Sequence, residues 1–140
     1  MNRLLALLLA FVACSRGAPQ PVTDARSESC AHCRMILSDP RLGAQLVVPG
    51  EEPLFFDDIG CLRDWRKSHR PTTGAAAFVA DHRTGKWLPA ERALYLRTTK
   101  LQTPMGSQLI AYADATSRDA DPAASGGTAV TTAEALEGRR

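Results

Sequence analysis

Apolar residues along this chain come in short runs. Their spacing predicts brief strands and one amphipathic helix rather than long elements. Residues 43–48 read as a strand, Pro49 to Pro53 as a turn cluster, and residues 54–56 as the second strand of a hairpin. Asp57 and Asp58 then supply an N-cap and a first-turn acid. Ile59, Leu62 and Trp65 recur on one side at helical spacing, and Pro71 is the stop. Residues 75–80 form an unbroken apolar run suited to a buried strand. Asp81-His82-Arg83-Thr84-Gly85 is a tight turn, with a further strand starting at Lys86.

The second half echoes the first. Residues 94–98 and 108–113 read as strands, and Asp114 opens a helix that Pro122 and the Gly126-Gly127 pair end. Thr131 and Glu134 have the spacing of a capping box for a last short helical turn. The class that follows is α+β: two small ββαβ-type units with short antiparallel or mixed sheets, over residues 30–81 and 82–130. Residues 131–140 are expected as a C-terminal tail.

The chain ahead of these units has a different pattern. Arg3 followed by an apolar run to Val12 is too short to span a bilayer and matches a signal-peptide core, giving residues 1–13 as a signal peptide. Ala13-Cys14 at its end has the form of a bacterial lipobox, with Phe11 where leucine is usual. Cys14 is therefore the expected lipidation site, and the mature protein is expected on the periplasmic side of a bacterial membrane. Residues 14–29, rich in Pro, Ser, Thr and charge, read as lipid anchor and flexible tether. A net charge of +2 with no concentrated basic face argues against a nucleic-acid partner. With Cys14 set aside, Cys30, Cys33 and Cys61 remain. An odd number outside the cytoplasm suggests a free thiol with a task.

The densest chemistry is Cys30-Ala31-His32-Cys33-Arg34-Met35: two thiols, an imidazole and a thioether in six residues. Such soft ligands favour copper(I) over hard cations. A Cys-x-x-Cys pair alone also fits a structural zinc site, a redox pair or a simple disulfide. Zinc would draw on Cys30, Cys33, Cys61 and a histidine; a thiol–disulfide oxidoreductase would use Cys30 and Cys33. In extended chain Cys33 and Met35 face the same way, which would add a thioether; alternatively Met35 packs beside Ile36 and Leu37. Met105, between Pro104 and Gly106, either closes over a metal or is an ordinary loop methionine. Cys61 reads first as a small buried residue near Trp65. His32 joins the metal or stands exposed, and His69 and His82 default to solvent. Neither a phosphate loop nor a nucleophile elbow is present, so no turnover is expected.

These residues, in this order, resemble the NosL-type copper-binding lipoproteins, accessory proteins of nitrous oxide reductase maturation. The resemblance rests on Cys30-x-x-Cys33-x-Met35, Phe56-Asp57-Asp58-Ile59-Gly60-Cys61, Phe78-Val79-Ala80-Asp81 with Thr84-Gly85-Lys86-Trp87, Thr103-Pro104-Met105-Gly106-Ser107, and Ala111-Tyr112. It implies a periplasm-facing, lipid-anchored copper(I) chaperone of two ββαβ-type units. It implies metal ligands at Cys33, Met35 and Met105, with Cys30 in addition. The implied partners are an ABC-type copper-delivery complex and, through it, nitrous oxide reductase. Arg34 departs from the family pattern, which usually has glycine before the methionine.

Overall fold

The computed structural model describes residues 17–70 and 72–139. The signal peptide expected at 1–13 and the lipidation expected at Cys14 lie outside the described residues.

Two antiparallel sheets carry the fold. The first contains β1 (Ala44–Val47), β2 (Leu54–Phe56), β3 (Ala76–Ala80) and β4 (Trp87–Pro89), in the order β2-β1-β3-β4. The second contains β5 (Leu94–Arg97), β6 (Leu109–Tyr112) and β7 (Thr128–Val130), in the order β6-β5-β7. Helix α1 (Ile59–Ser68) follows the first hairpin, α2 (Ala115–Asp119) follows the second, and α3 (Thr132–Glu137) ends the chain. The class is α+β, and each unit follows the ββαβ order. The first sheet runs one strand further than expected: β4 pairs with β3 and lies beyond the boundary at Asp81. Strand β7 supplies the strand that the second ββαβ unit calls for after its helix, at a place the apolar pattern does not mark. Its run of Thr128, Ala129 and Val130 is short and follows two glycines, so it carries little apolar signal.

The first hairpin pairs Ala44 with Phe56 and Leu46 with Leu54. Its turn contains Gly50 at φ +82°, a left-handed value that glycine adopts without cost. Asp58, not Asp57, caps α1, accepting from the Gly60 amide at 2.6 Å. The helix ends at Ser68, with the His69 amide donating to Trp65 O, before Pro71 is reached. Ile59, Cys61 and Leu62 bury the inner face of its first turns. Trp65 meets Phe56 edge-on at 5.7 Å and stacks on His69 at 4.3 Å.

The second unit packs onto the first rather than standing apart. Asp81, at the end of β3, accepts from Thr84 N and Oγ1, Ser117 Oγ and Ala113 N, all at 2.8–2.9 Å. One buried carboxylate thus ties its own turn, β6 and α2 together. The segment expected as a tail instead adds to the core. Thr131 caps α3, whose Ala135 and Leu136 are buried, and α3 packs along α1.

The expected tether is bound to the fold from Val22 onward. Buried Gln45 on β1 accepts from Val22 N at 2.8 Å and donates to Val22 O at 3.0 Å, as a neighbouring strand would. Ala25 is buried in the core. Composition suggested a flexible linker because the segment has few apolar residues. One amide side chain satisfying a backbone N–H and C=O holds it in place instead.

Candidate metal centre

Cys30 and Cys33 sit on a tight knuckle fastened to β2. Ala31 N donates to Phe55 O at 2.7 Å, and Cys30 N donates to Met35 O at 2.8 Å. Arg34 N closes the turn on Cys30 O at 3.0 Å, and Cys33 N points at Cys30 Sγ at 3.4 Å. Bridges between Ser29 and Ile36 and between Cys30 and Phe55 seal the base. The bend requires Arg34 at φ +68°, a left-handed backbone. The glycine that the family pattern puts there would adopt it freely. The same bend ends the extended alternation expected to turn Cys33 and Met35 to one face. The structure gives no support to that route to Met35.

Cys61 comes to this knuckle from the first turn of α1. The three Sγ atoms of Cys30, Cys33 and Cys61 all lie within 4.8 Å of one another, and all three thiols are free. Metal–thiolate bonds of about 2.3 Å would put three ligating sulfurs about 4 Å apart, so a small inward movement closes the triangle on one ion. Cys30 and Cys61 are buried and Cys33 is half-buried, so the ion would be reached from the Cys33 side. Cys61 was expected to be packing. Its signal lay in being the odd third cysteine, placed by the Asp58 cap in the first helical turn.

Electrostatics separates the three thiols. Burial works against ionisation at Cys30, but the backbone N–H groups of Cys33, Asp57 and His32 outweigh it and leave its pKa below the ordinary thiol value. Burial raises Cys33, and the neighbouring Cys30 adds to the rise. Cys61 is raised strongly, first by burial and then by the charges of Cys30 and Cys33. A proton is therefore lost most readily at Cys30 and least readily at Cys61. A soft cation would displace the remaining protons.

The arrangement discriminates among the alternatives. An exchange-active pair needs its low-pKa thiol exposed. Here the lowered thiol is the fully buried Cys30, while the more exposed Cys33 is raised. A four-ligand zinc site needs another donor of Cys, His or carboxylate type, and none of the described residues joins the three. His32, between the cysteines, is exposed.

The turn that carries Met105 is docked on the N-cap of α1. The Met105 amide donates to Asp58 Oδ2 at 3.1 Å, and the Ser107 amide reaches the same oxygen at 3.4 Å. The turn bearing Met105 is thus docked three residues from Cys61, on a different strand connection. Met35 and Met105 are both about half exposed, at 48% and 51%, so neither fills the core. Asp57 is not a first-turn acid. It is buried, its Oδ1 accepts from Ser38 N and Oγ, and its Oδ2 has no partner among the described residues. His82 also departs from expectation. It is buried, with Nδ1 at 2.6 Å from Asp121 Oδ2, which Tyr112 OH also donates to at 3.1 Å.

The fold and the three converging thiols define a small α+β protein with a cluster of soft sulfur donors that could hold a metal ion. The NosL family model matches residues 21–137, and the chain belongs to the NosL family. The fold is similar to the crystal structure of the copper chaperone NosL from Shewanella denitrificans. That match has a TM-score of 0.67 and 14% sequence identity, covering 88% of this chain and 99% of that one. No curated protein sequence matches significantly.

Proposed function

We propose that this protein is an extracytoplasmic copper(I) chaperone. Its cargo is held by thiolates of Cys30, Cys33 and Cys61 with thioether help from Met35 and Met105. The single observation that supports this most is the convergence of three free thiols, two of them buried, one of them on the helix whose cap also holds a turn with an exposed methionine. Thiolates and thioethers are soft and select copper(I). A thioether has no proton to lose and binds more weakly than thiolate, which suits an ion that must leave again. Ligand exchange at the open Cys33 side gives a carrier with no reaction of its own.

Family membership supports one destination. We infer delivery to the copper centres of nitrous oxide reductase through an ABC-type complex, from a position anchored to the periplasmic face of the membrane by lipid on Cys14. Two experiments test these parts. In an anaerobic titration against a chromophoric copper(I) chelator, the parent should take one ion, and Cys33→Ser should lose it to the chelator at least tenfold more readily. Parental retention by Cys33→Ser would refute the site. In cells lacking the protein, nitrous oxide reductase should be made without its copper; normal copper content there would refute the destination.

A further inference from the structure

Besides Asp81, a second buried carboxylate joins the two halves of the molecule. Asp58 is completely buried and serves two masters. Its Oδ1 caps α1 through Gly60 N at 2.6 Å, which is all that helix capping asks of it. Its Oδ2 accepts from Met105 N at 3.1 Å and Ser107 N at 3.4 Å, donors from the other unit. The fit is close as well as polar. A Cβ added at Gly60 would stand 2.6 Å from Ser107 Cβ and 3.0 Å from Asp58 Oδ1, so only glycine admits the turn against the helix.

Few other contacts hold this turn. Gly106 at φ +71° has open space around it, and the Met105 side chain is half exposed. Apart from the Thr103–Gln108, Thr103–Gly106 and Leu109–Ser107 bonds inside the turn, its ties are Arg97 Nη1 donating to Ser107 O and Thr98 N donating to Gln108 O, both at 2.9 Å and both at residues that follow Met105 in sequence. A methionine displayed this way contributes little to the core, yet its backbone is fixed to the helix turn that carries Cys61.

We propose that Asp58 is a positioning residue of the cargo site: it holds the Met105 turn on the first turn of α1, so that this thioether and the thiol of Cys61 stay within reach of one ion. The inference rests on the copper(I) reading above and names the residue that joins the two halves of its ligand set.

Asp58→Asn separates the two duties. Asparagine caps a helix as well as aspartate does. However, a carboxamide has one acceptor oxygen, and its NH2 would face the amides of Met105 and Ser107. Anaerobic copper(I) competition should show Asp58→Asn binding about tenfold to a hundredfold more weakly, the range expected for charge-assisted bonds lost from the bound state. The double variant with Met105→Ala should be no weaker than Met105→Ala alone, because both act through one thioether. X-ray absorption of copper-loaded Asp58→Asn should show one sulfur fewer. Gly60→Ala, which favours the helix but wedges the turn away, should give the same direction and covers the case where Asp58→Asn folds poorly.

Several results would overturn the inference. Asp58→Asn and Gly60→Ala could keep parental affinity while Met105→Ala loses it. The Asp58 and Met105 losses could simply add. Asp58→Asn could melt earlier yet keep every sulfur. In each case the copper reading stands and Asp58 is only structural. Parental binding by both Cys33→Ser and Met105→Ala would sink the copper reading itself.

Discussion

The Sγ atoms of Cys61 and Cys30 lie within 4.8 Å of each other, although a whole hairpin and a helix start separate them in the chain. Two attachments produce this. Ala31 N on Phe55 O fixes the knuckle to β2, and the Asp58 cap fixes where α1 begins directly after β2. Both thiols are consequently presented from backbone that the core already holds rigid.

Cys61 is therefore expected to behave as a ligand. Cys61→Ser should weaken copper(I) retention at least tenfold in chelator competition. Its cost to the apo fold should be small, about 1 kcal/mol for one buried sulfur replaced by oxygen. Unchanged retention would return Cys61 to a packing role.

Arg34 offers a test in the opposite direction. A side chain at φ +68° costs about 1–2 kcal/mol over a right-handed backbone, part of which glycine's extra freedom in the unfolded chain offsets. Arg34→Gly should stabilise the apo protein by about 0.5–1 kcal/mol, raising its melting temperature by about 2–5 °C. Arg34→Val should destabilise it, because a β-branched residue is least suited to that conformation. An Arg34→Gly protein that melts earlier would contradict this account of the knuckle.

Much of this fold was legible before any coordinates. The hairpin, α1, β3, β5, β6 and the capped last helix follow from apolar spacing and cap residues, signals that belong to neighbouring positions in the chain. What escaped depended on distant partners. Gln45 clamping Val22, Asp121 drawing His82 inward and β4 joining the first sheet are pairings that no local pattern encodes. The site divides in the same way. Cys30 and Cys33 are announced by their spacing, whereas Cys61 reaches them only through the β2–α1 geometry. The Cys33–Met35 alternation failed because one left-handed residue reverses the chain between them.

Asp81 carries the junction of the two units. Asp81→Ala would leave the amides of Thr84 and Ala113 and the Ser117 hydroxyl without their acceptor. The expected loss is about 2–4 kcal/mol in urea unfolding. A loss below about 0.5 kcal/mol would mean the units are held by other contacts.

Alkaline pH should destabilise the apo protein. Burial raises the thiol of Cys61 above its ordinary 9.0, and burial raises the phenols of Tyr95 and Tyr112 above 10.0. Above pH 9 the unfolded chain gives up these protons while the folded chain keeps them, so the folded state binds more protons and stability falls as pH rises. The lowered Cys30 works against this, but with Cys33 also raised it is one group facing four. Under anaerobic reducing conditions the urea midpoint at pH 10.5 should lie below that at pH 7.5; an equal or higher midpoint would contradict the burial assigned to these groups.

Copper binding should show the reverse dependence. The raised thiols of Cys33 and Cys61 keep their protons near neutrality and must lose them to ligate. Retention should strengthen about tenfold per pH unit for each proton released. A pH-independent affinity would mean the ion is held by groups that do not titrate.

The most direct test is the X-ray absorption spectrum of the protein loaded anaerobically with one equivalent of copper(I). A first shell made only of sulfur, three or more atoms and falling by one in Cys61→Ser, is the predicted result. A shell dominated by nitrogen or oxygen, or one that Cys61→Ser leaves unchanged, would contradict it.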